Sequence, residues 1–238
     1  TNFTTQPVIT VQDASGNTVE NSSISIDVAI DSGNLTGTTQ IAAVNGVATF
    51  SGLGKNGTNG SKRLTFTKTG GGLTQAIFDF TLTYGAPTQL ALTTDAADFV
   101  NRVAFGTQPV IEIQDADGNK VADSTASVTV AMTGGGTLDG TDTVSAIAGV
   151  ATFSGLSARG SIANNNVLAF TSSQLTGVSQ ASFNLTHGAA HHIYTTAGFN
   201  GTTSILSGTR KSGVAFGQQP KVAIVDEDNN LVSTGSES

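Results

Sequence analysis

Phe105–Val121 reads FGTQPVIEIQDADGNKV, and the chain carries this stretch three times. Phe3–Val19 (FTTQPVITVQDASGNTV) precedes it by 102 positions and Phe216–Val232 (FGQQPKVAIVDEDNNLV) follows it by 111. Each spacing is the length of one small domain, so the 238 residues are a tandem array. Within the stretch, Ile111 and Ile113 alternate with Glu112 and Gln114, and Ile9 with Val11 and Val222 with Ile224 hold the same places. The residue between them drifts from Thr10 to Glu112 to Ala223. One face is held aliphatic and the other is permissive, which is the pattern of a half-buried β-strand. Pro7, Pro109 and Pro220 open it, where a lost N–H is tolerated. The Asp13–Asn17 and Asp115–Asn119 segments then close a tight turn, because Asp bonds the backbone ahead of it and Gly or Asn accepts φ > 0.

The same period of two continues on either side. Ile24, Ile26, Val28 and Ile30 alternate strictly, with Ala126, Val128, Val130 and Met132 as counterparts. Ile41–Val44 leads into Asn45-Gly46, a strong hairpin signal, and VATFSGL returns at both Val47–Leu53 and Val150–Leu156. Leu64 and Phe66 (Leu168 and Phe170) mark a sixth strand. Phe78, Phe80 and Leu82 (Ala181, Phe183 and Leu185) mark a seventh. The opening strands are Leu90–Leu92 and Ile193–Thr195. No apolar period of 3.6 persists over a helix length, so the expected fold is all-β: tandem seven-stranded immunoglobulin-like β-sandwich domains in a linear array.

The boundaries that follow are 1–86 for a repeat without its first strand, 87–188 for a complete repeat, and 189–238 for the first strands of a third. The joints Tyr84–Pro87 and His187–His191 are short, which favours a semi-rigid rod. Two explanations of the incomplete ends compete. The chain is a window of a longer repetitive protein, or the Ile193–Thr195 strand of one molecule completes the first repeat of another by strand donation.

Composition narrows the function. Cysteine is absent, charged residues make up 11%, and Ser, Thr, Gly and Asn abound, a profile unlike that of a cytosolic enzyme. The net charge of −7 without a Lys/Arg cluster argues against nucleic acid or anionic lipid as partner. No apolar run reaches the roughly 18–20 residues of a membrane helix.

The combination VQDASGNTV, alternating aliphatics and NGVATFSGL resembles the bacterial Ig-like (Big) repeats of invasin- and intimin-type surface proteins. The match runs through Asp13, Gly16, Asn17 and Val19 and then Asn45, Gly46, Val47, Ala48 and Thr49. The second repeat matches at Asp115, Gly118, Asn119 and Val121 but has Ala148-Gly149 at the later turn, and the third has Asn229 where the others have Gly. The resemblance implies an extracellular or cell-surface location. It further implies a structural role in a filament, sheath, surface layer or stalk, or else an adhesin shaft that binds glycan or host protein through its loops. Self-assembly with copies or neighbouring repeats is the expected partnership. A third reading is an accessory module of a secreted enzyme.

No residue is assigned as catalytic, cofactor-binding or metal-ligating. Asp115-x-Asp117-x-Asn119 and Asp226-x-Asp228-x-Asn230 space three oxygen ligands as a calcium loop begins, and Glu237 stands twelfth in the second of them. The first copy makes the same turn with Ser15 in the middle position, so a plain turn is the preferred reading and calcium the alternative. His187, His191 and His192 at a joint are read as an exposed linker rather than a metal clip. Gly208–Ser212 lacks the Gly before Lys211 that a phosphate loop needs. No G-x-S-x-G elbow occurs, and the histidines are badly placed to serve as a base. Sequons at Asn2, Asn21, Asn34, Asn56, Asn59, Asn184 and Asn200 slightly exceed what composition alone gives. The loops Ala197–Gly213 and Asp95–Arg102 differ most between repeats and are the candidate binding surface, especially Phe199–Arg210 and Phe99–Arg102.

Overall fold

A computed structural model describes residues 2–162, 165–195, 212–214 and 222–232. Most of the loop Ala197–Gly213, with Asn200, Gly208 and Phe199–Arg210, lies outside the described residues, as do Pro220 and Glu237. The chain is all-β, with strands and no helix among the described residues. It forms two compact units. The first holds residues 1–88 together with 114–121, and the second holds 89–113 together with 122–238. The turn that follows the second repeat's organising strand is thus built into the first unit.

In the first unit, β1 (Val8–Thr10) pairs with β5 (Val47–Thr49), Ile9 opposite Ala48. Facing them is a four-stranded antiparallel sheet in the order β4-β2-β7-β8. It comprises β4 (Gln40–Ala42), β2 (Ser25–Ile30), β7 (Gly60–Lys68) and β8 (Ala76–Leu82). A short pair, β3 (Asn34–Thr36) with β6 (Gly54–Asn56), adds to the six strands expected of a repeat without its first. The inward faces of both layers meet in one core of Val11, Ile26, Val28, Ala48, Phe50, Leu53, Leu64 and Phe66. This is the sandwich that the alternation demands. Each fully buried Leu or Phe contributes roughly 1.5–3 kcal/mol.

The second unit continues with β9 (Gln89–Thr94), β10 (Val110–Gln114), β11 (Ser127–Thr133), β12 (Thr137–Asp139) and β13 (Thr143–Ser145). Its later strands are β14 (Val150–Thr152), β15 (Ser157–Arg159), β16 (Val167–Ser172) and β17 (Leu175–Ser179). Here one sheet runs β13-β11-β16-β17-β9-β10-β14, because the opening strand β9 bonds to both β17 and β10. The β17–β9 pairing is parallel, and it lets the two layers share an edge. Ile111, Ile113, Val128, Phe153, Leu156, Leu168 and Phe170 are fully buried.

Three expectations are corrected. The Asn45-Gly46 turn has the hairpin backbone, φ 51° and 77°, but β4 and β5 pair in different sheets and share only the Val44–Val47 bridge. The turn is a crossing between layers. The seventh strand of the second repeat lies earlier than the Ala181, Phe183 and Leu185 positions. A left-handed Gln174 (φ 63°) returns the chain at once into β17, leaving Phe183 with an isolated bridge to Asn166. In the third copy β18 (His192–Thr195) pairs with β19 (Val222–Val225), but Val222 and Ile224 are exposed while Ala223 and Val225 are buried. Among the described residues no second sheet faces Val222 and Ile224, so the burial that would fix that face is absent.

Ala148 occupies the Asn45 place at φ 51° and is exposed. A Cβ in this region costs roughly 1–2 kcal/mol, and Asn tolerates it better. Ala148→Asn is therefore expected to stabilise the second unit by about 0.5–1 kcal/mol in urea titration.

A glutamine also recurs at a fixed place before the organising proline. Gln108 Nε2 donates to the Phe105 and Leu156 carbonyls, both at 3.0 Å, and its Oε1 accepts the Leu156 N–H at 3.0 Å. Gln6 does the same with Phe3 and Leu53. The side chain stands in for a strand where Pro cannot donate. Gln108→Ala takes these bonds from the Phe105 carbonyl and the Leu156 N–H, while the Leu156 carbonyl keeps the Phe105 N–H, and should cost about 2 kcal/mol, read as a lower denaturation midpoint.

Candidate functional site: an acidic turn and its cradle

The Asp-x-x-Gly/Asn-Asn turn first closes on itself. Asp115 Oδ1 accepts N–H groups of Asp117 at 2.9 Å and Asn119 at 2.8 Å, and the Asn119 amide returns to both carboxylate oxygens at 3.2 and 3.0 Å. The Asp13 and Asp226 turns repeat this pattern through Asn17 and Asn230. Gly16 and Gly118 take φ 85° and 80° there, and Asn229 takes φ 65°, which Asn tolerates. The departure of the third copy therefore leaves the turn intact.

The surroundings of the copies then differ. Within the first unit, the Gly85 N–H donates to Asp115 Oδ2 at 2.8 Å. Asn119 donates to the Gly57 carbonyl at 3.1 Å and accepts the Asn59 N–H at 2.9 Å. Within the second unit, the Gly188 N–H donates to Asp226 Oδ2 at 2.9 Å, and Asn230 bonds the Gly160 carbonyl at 2.9 Å and the Ile162 N–H at 3.1 Å. Gly85 and Gly188, Gly57 and Gly160, and Asn59 and Ile162 are counterparts at one repeat spacing. The cradle is thus the same in both units. Each is built from the loop after the VATFSGL strand and the glycine that ends the repeat. Asp115 and Asp226 are buried in it, whereas Asp13 is exposed.

The second cradle carries additional donors. Asn101 Nδ2 reaches Asp226 Oδ2 at 2.9 Å and Asp228 Oδ2 at 2.8 Å, while its Oδ1 accepts the Gly160 N–H at 2.9 Å. Arg102 holds Asp228 in a two-pronged pair at 2.8 and 2.7 Å and meets Glu227 at 3.1 Å. Arg102 itself sits at φ 63°, a local strain offset by this charge-assisted fork.

Burial pushes the Asp226 carboxyl up. Hydrogen bonds from the Asn230 side chain, the Gly188 N–H, the Asn101 side chain and the Asn230 N–H outweigh it and hold the group well below the usual carboxylate range. Asp115 is lowered against the same burial by Gly85, Asn119 and Asp117. Asp228 is lowered chiefly by Arg102, and Asp13 by the Asn17 and Ser15 donors of its own turn.

This chemistry bears on the calcium reading. Both oxygens of Asp115 and of Asp226 face N–H donors, which a cation would have to displace. Among the described residues no group of three or more His, Cys, Asp or Glu is placed to hold a metal ion. The expected result is that millimolar calcium leaves the unfolding temperature unchanged, and a calcium-dependent rise would reinstate the metal reading. His191 and His192 lie side by side with Nδ1 atoms 2.8 Å apart, and His192 Nε2 lies 2.9 Å from Asn229 Oδ1. His187 Nδ1 lies 3.1 Å from the Gly188 carbonyl. The described residues contain no helix long and apolar enough to cross a membrane.

No family model and no curated protein matches the chain. Among solved structures, a β-glucuronidase of Parabacteroides merdae is similar at 14% identity and a TM-score of 0.30 over 66% of this chain. The chain spans 20% of that enzyme's length. The D0–D1 domains of intimin are similar at 16% identity and a TM-score of 0.30, over 75% of this chain and 87% of theirs. Domains 4–9 of the surface-layer protein SbsC give 13% identity and a TM-score of 0.28, over 94% of this chain and 31% of theirs.

Proposed function

We propose that the chain is a structural repeat segment of an extracellular bacterial surface protein, of the filament, sheath, surface-layer or stalk kind, and that it is not an enzyme. The observation that carries this reading is the seated turn. Asp115–Asn119 and Asp226–Asn230 are each hydrogen-bonded into the body built by the preceding repeat, with the same cradle atoms both times. A device repeated in both units serves an array, and a binding site would be needed once. The Ig-like repeat motifs in the sequence support the surface setting. Self-assembly with like repeats is the proposed partnership, with no cofactor.

The second reading is a loop-mediated adhesin shaft, favoured by the Asp95–Arg102 loop, which leaves Asp95, Asp98 and Arg102 exposed. Electron microscopy of the native material separates the two. An ordered lattice or fibre decorated by antibody to this segment supports the structural role, whereas isolated projections that bind host glycans or proteins would replace it.

A further inference from the structure

The first unit holds an open cleft of about 840 Å³, lined by Phe3, Lys55, Phe80, Tyr84, Asp115 and Asp117 among others. The second unit shows what fills the equivalent place. There Phe99 stacks on Phe183 with ring centroids 3.7 Å apart and meets Phe105 edge-on at 5.1 Å. The counterparts of Phe183 and Phe105 are Phe80 and Phe3, which contact each other at 5.3 Å and line the cleft. Asn101 ties Gly160 to Asp226 and Asp228, and Arg102 clamps Asp228. Their counterparts Gly57, Asp115 and Asp117 also line the cleft. Leading into these residues, β9 runs between β17 and β10 with Leu90 buried. In the first unit, β8 pairs with β7 and β1 with β5, and among the described residues no strand lies on their other edges. Val8, Ile77 and Phe78 on these strands are 57%, 50% and 55% exposed.

We propose that this cleft, with the β1 and β8 edges beside it, is the seat of an extended peptide segment with the chemistry of Gln89–Arg102. Its alternating aliphatics would complete the sheet, a phenylalanine would stack on Phe80, and an Asn–Arg pair would bind Gly57, Asp115 and Asp117. The internal repeat supplies each contact in advance: backbone pairing gives affinity, and the aromatic and carboxylate sites give specificity. The proposal stands on this repeat and is independent of the surface role.

The test is a fluorescent synthetic peptide of sequence QLALTTDAADFVNR added to the full chain, read by polarisation and by the unfolding temperature. Saturable one-to-one binding with a raised unfolding temperature is expected, and a scrambled peptide should do neither. Phe99→Ala or Asn101→Ala in the peptide, and Asp117→Ala in the chain, should each weaken binding about tenfold. Asp117 is exposed, so its replacement leaves the fold in place. Equal behaviour of native and scrambled peptides overturns the proposal. So does binding that ignores all three substitutions, which would be unspecific edge pairing. An oligosaccharide that raises the unfolding temperature where the peptide does not would make the cleft a glycan site and overturn it likewise.

Discussion

Asp226→Ala is expected to destabilise the second unit by about 3–5 kcal/mol, a fall on the order of 10–20 °C in its unfolding temperature. The carboxylate accepts the Asp228 and Asn230 N–H groups on one oxygen and the Gly188 N–H and Asn101 amide on the other, with the Asn230 amide shared between them. Removing it orphans these donors where Asn101, Asp226 and Asn230 are buried and leaves Arg102 and Asn101 to hold Asp228 alone. Asp226→Asn keeps the shape and one acceptor oxygen, so it should lose less. Asp13→Ala is the internal control: the turn is the same, but it is exposed and, among the described residues, its carboxylate is bonded only within its own turn, so the loss should be several-fold smaller. The pH dependence follows from the direction of the shift. Since the Asp226 carboxyl is depressed in the folded state, its contribution is complete above the ordinary unfolded value near 4 and is lost as the pH falls through the lower folded value. The gap between wild type and Asp226→Ala should therefore stay constant from pH 7 to 5 and close only in strong acid.

The strands were legible because their signal is covalent and local. Ile111/Ile113, Val128/Val130 and Leu168/Phe170 alternate as the buried faces that the structure shows. The turn at Asp115 was legible for the same reason, since Asp, Gly and Asn each have a distinct backbone preference. Its cradle was not. The partners of Asp115 and Asn119 are main-chain groups of Gly57, Asn59 and Gly85, and a backbone N–H carries no side-chain signature. Comparing the copies suggested that the varying charge was dispensable. In the structure Asp228 is where Arg102 and Asn101 grip the third copy. Gln6 and Gln108 carried a readable signal, an invariant amide two residues after a variable one and directly before proline, but its meaning depends on the distant Leu53 and Leu156. The inverted burial at Val222 and Ile224 could not be read at all. Alternation says that two faces differ, and only a second sheet says which of them is inside.

The cradle also explains why the turn tolerates change at its middle positions. Ser15, Asp117 and Asp228 occupy one place, and Gly16, Gly118 and Asn229 the next. Neither place supplies a side-chain atom to the bonds with Gly85 or Gly188, with Gly57 or Gly160, or with Asn59 or Ile162. Those bonds come from the first Asp and the last Asn of the turn. A chain that keeps these two residues keeps both cradles, while the middle positions are free to add contacts such as Arg102–Asp228.

Phe170→Ala should cost the second unit about 3–5 kcal/mol, the largest effect expected of a core substitution here. Phe170 lies in β16, between β11 and β17, opposite Val130 and Val178, and it is fully buried. Its ring meets that of Phe153, on the facing layer, at 5.6 Å and 56°. The ring therefore fills the space between the layers, and its own strand β16 is held by β11 on one side and β17 on the other. Such surroundings relax little, so the cavity persists and its cost adds to the lost transfer free energy. Phe170→Leu, which refills most of that volume, should recover more than half of the loss. Guanidinium unfolding monitored by far-ultraviolet circular dichroism gives the comparison. A Phe170→Ala loss below about 1 kcal/mol would mean that the layers close over the cavity and would contradict the packing described for this core.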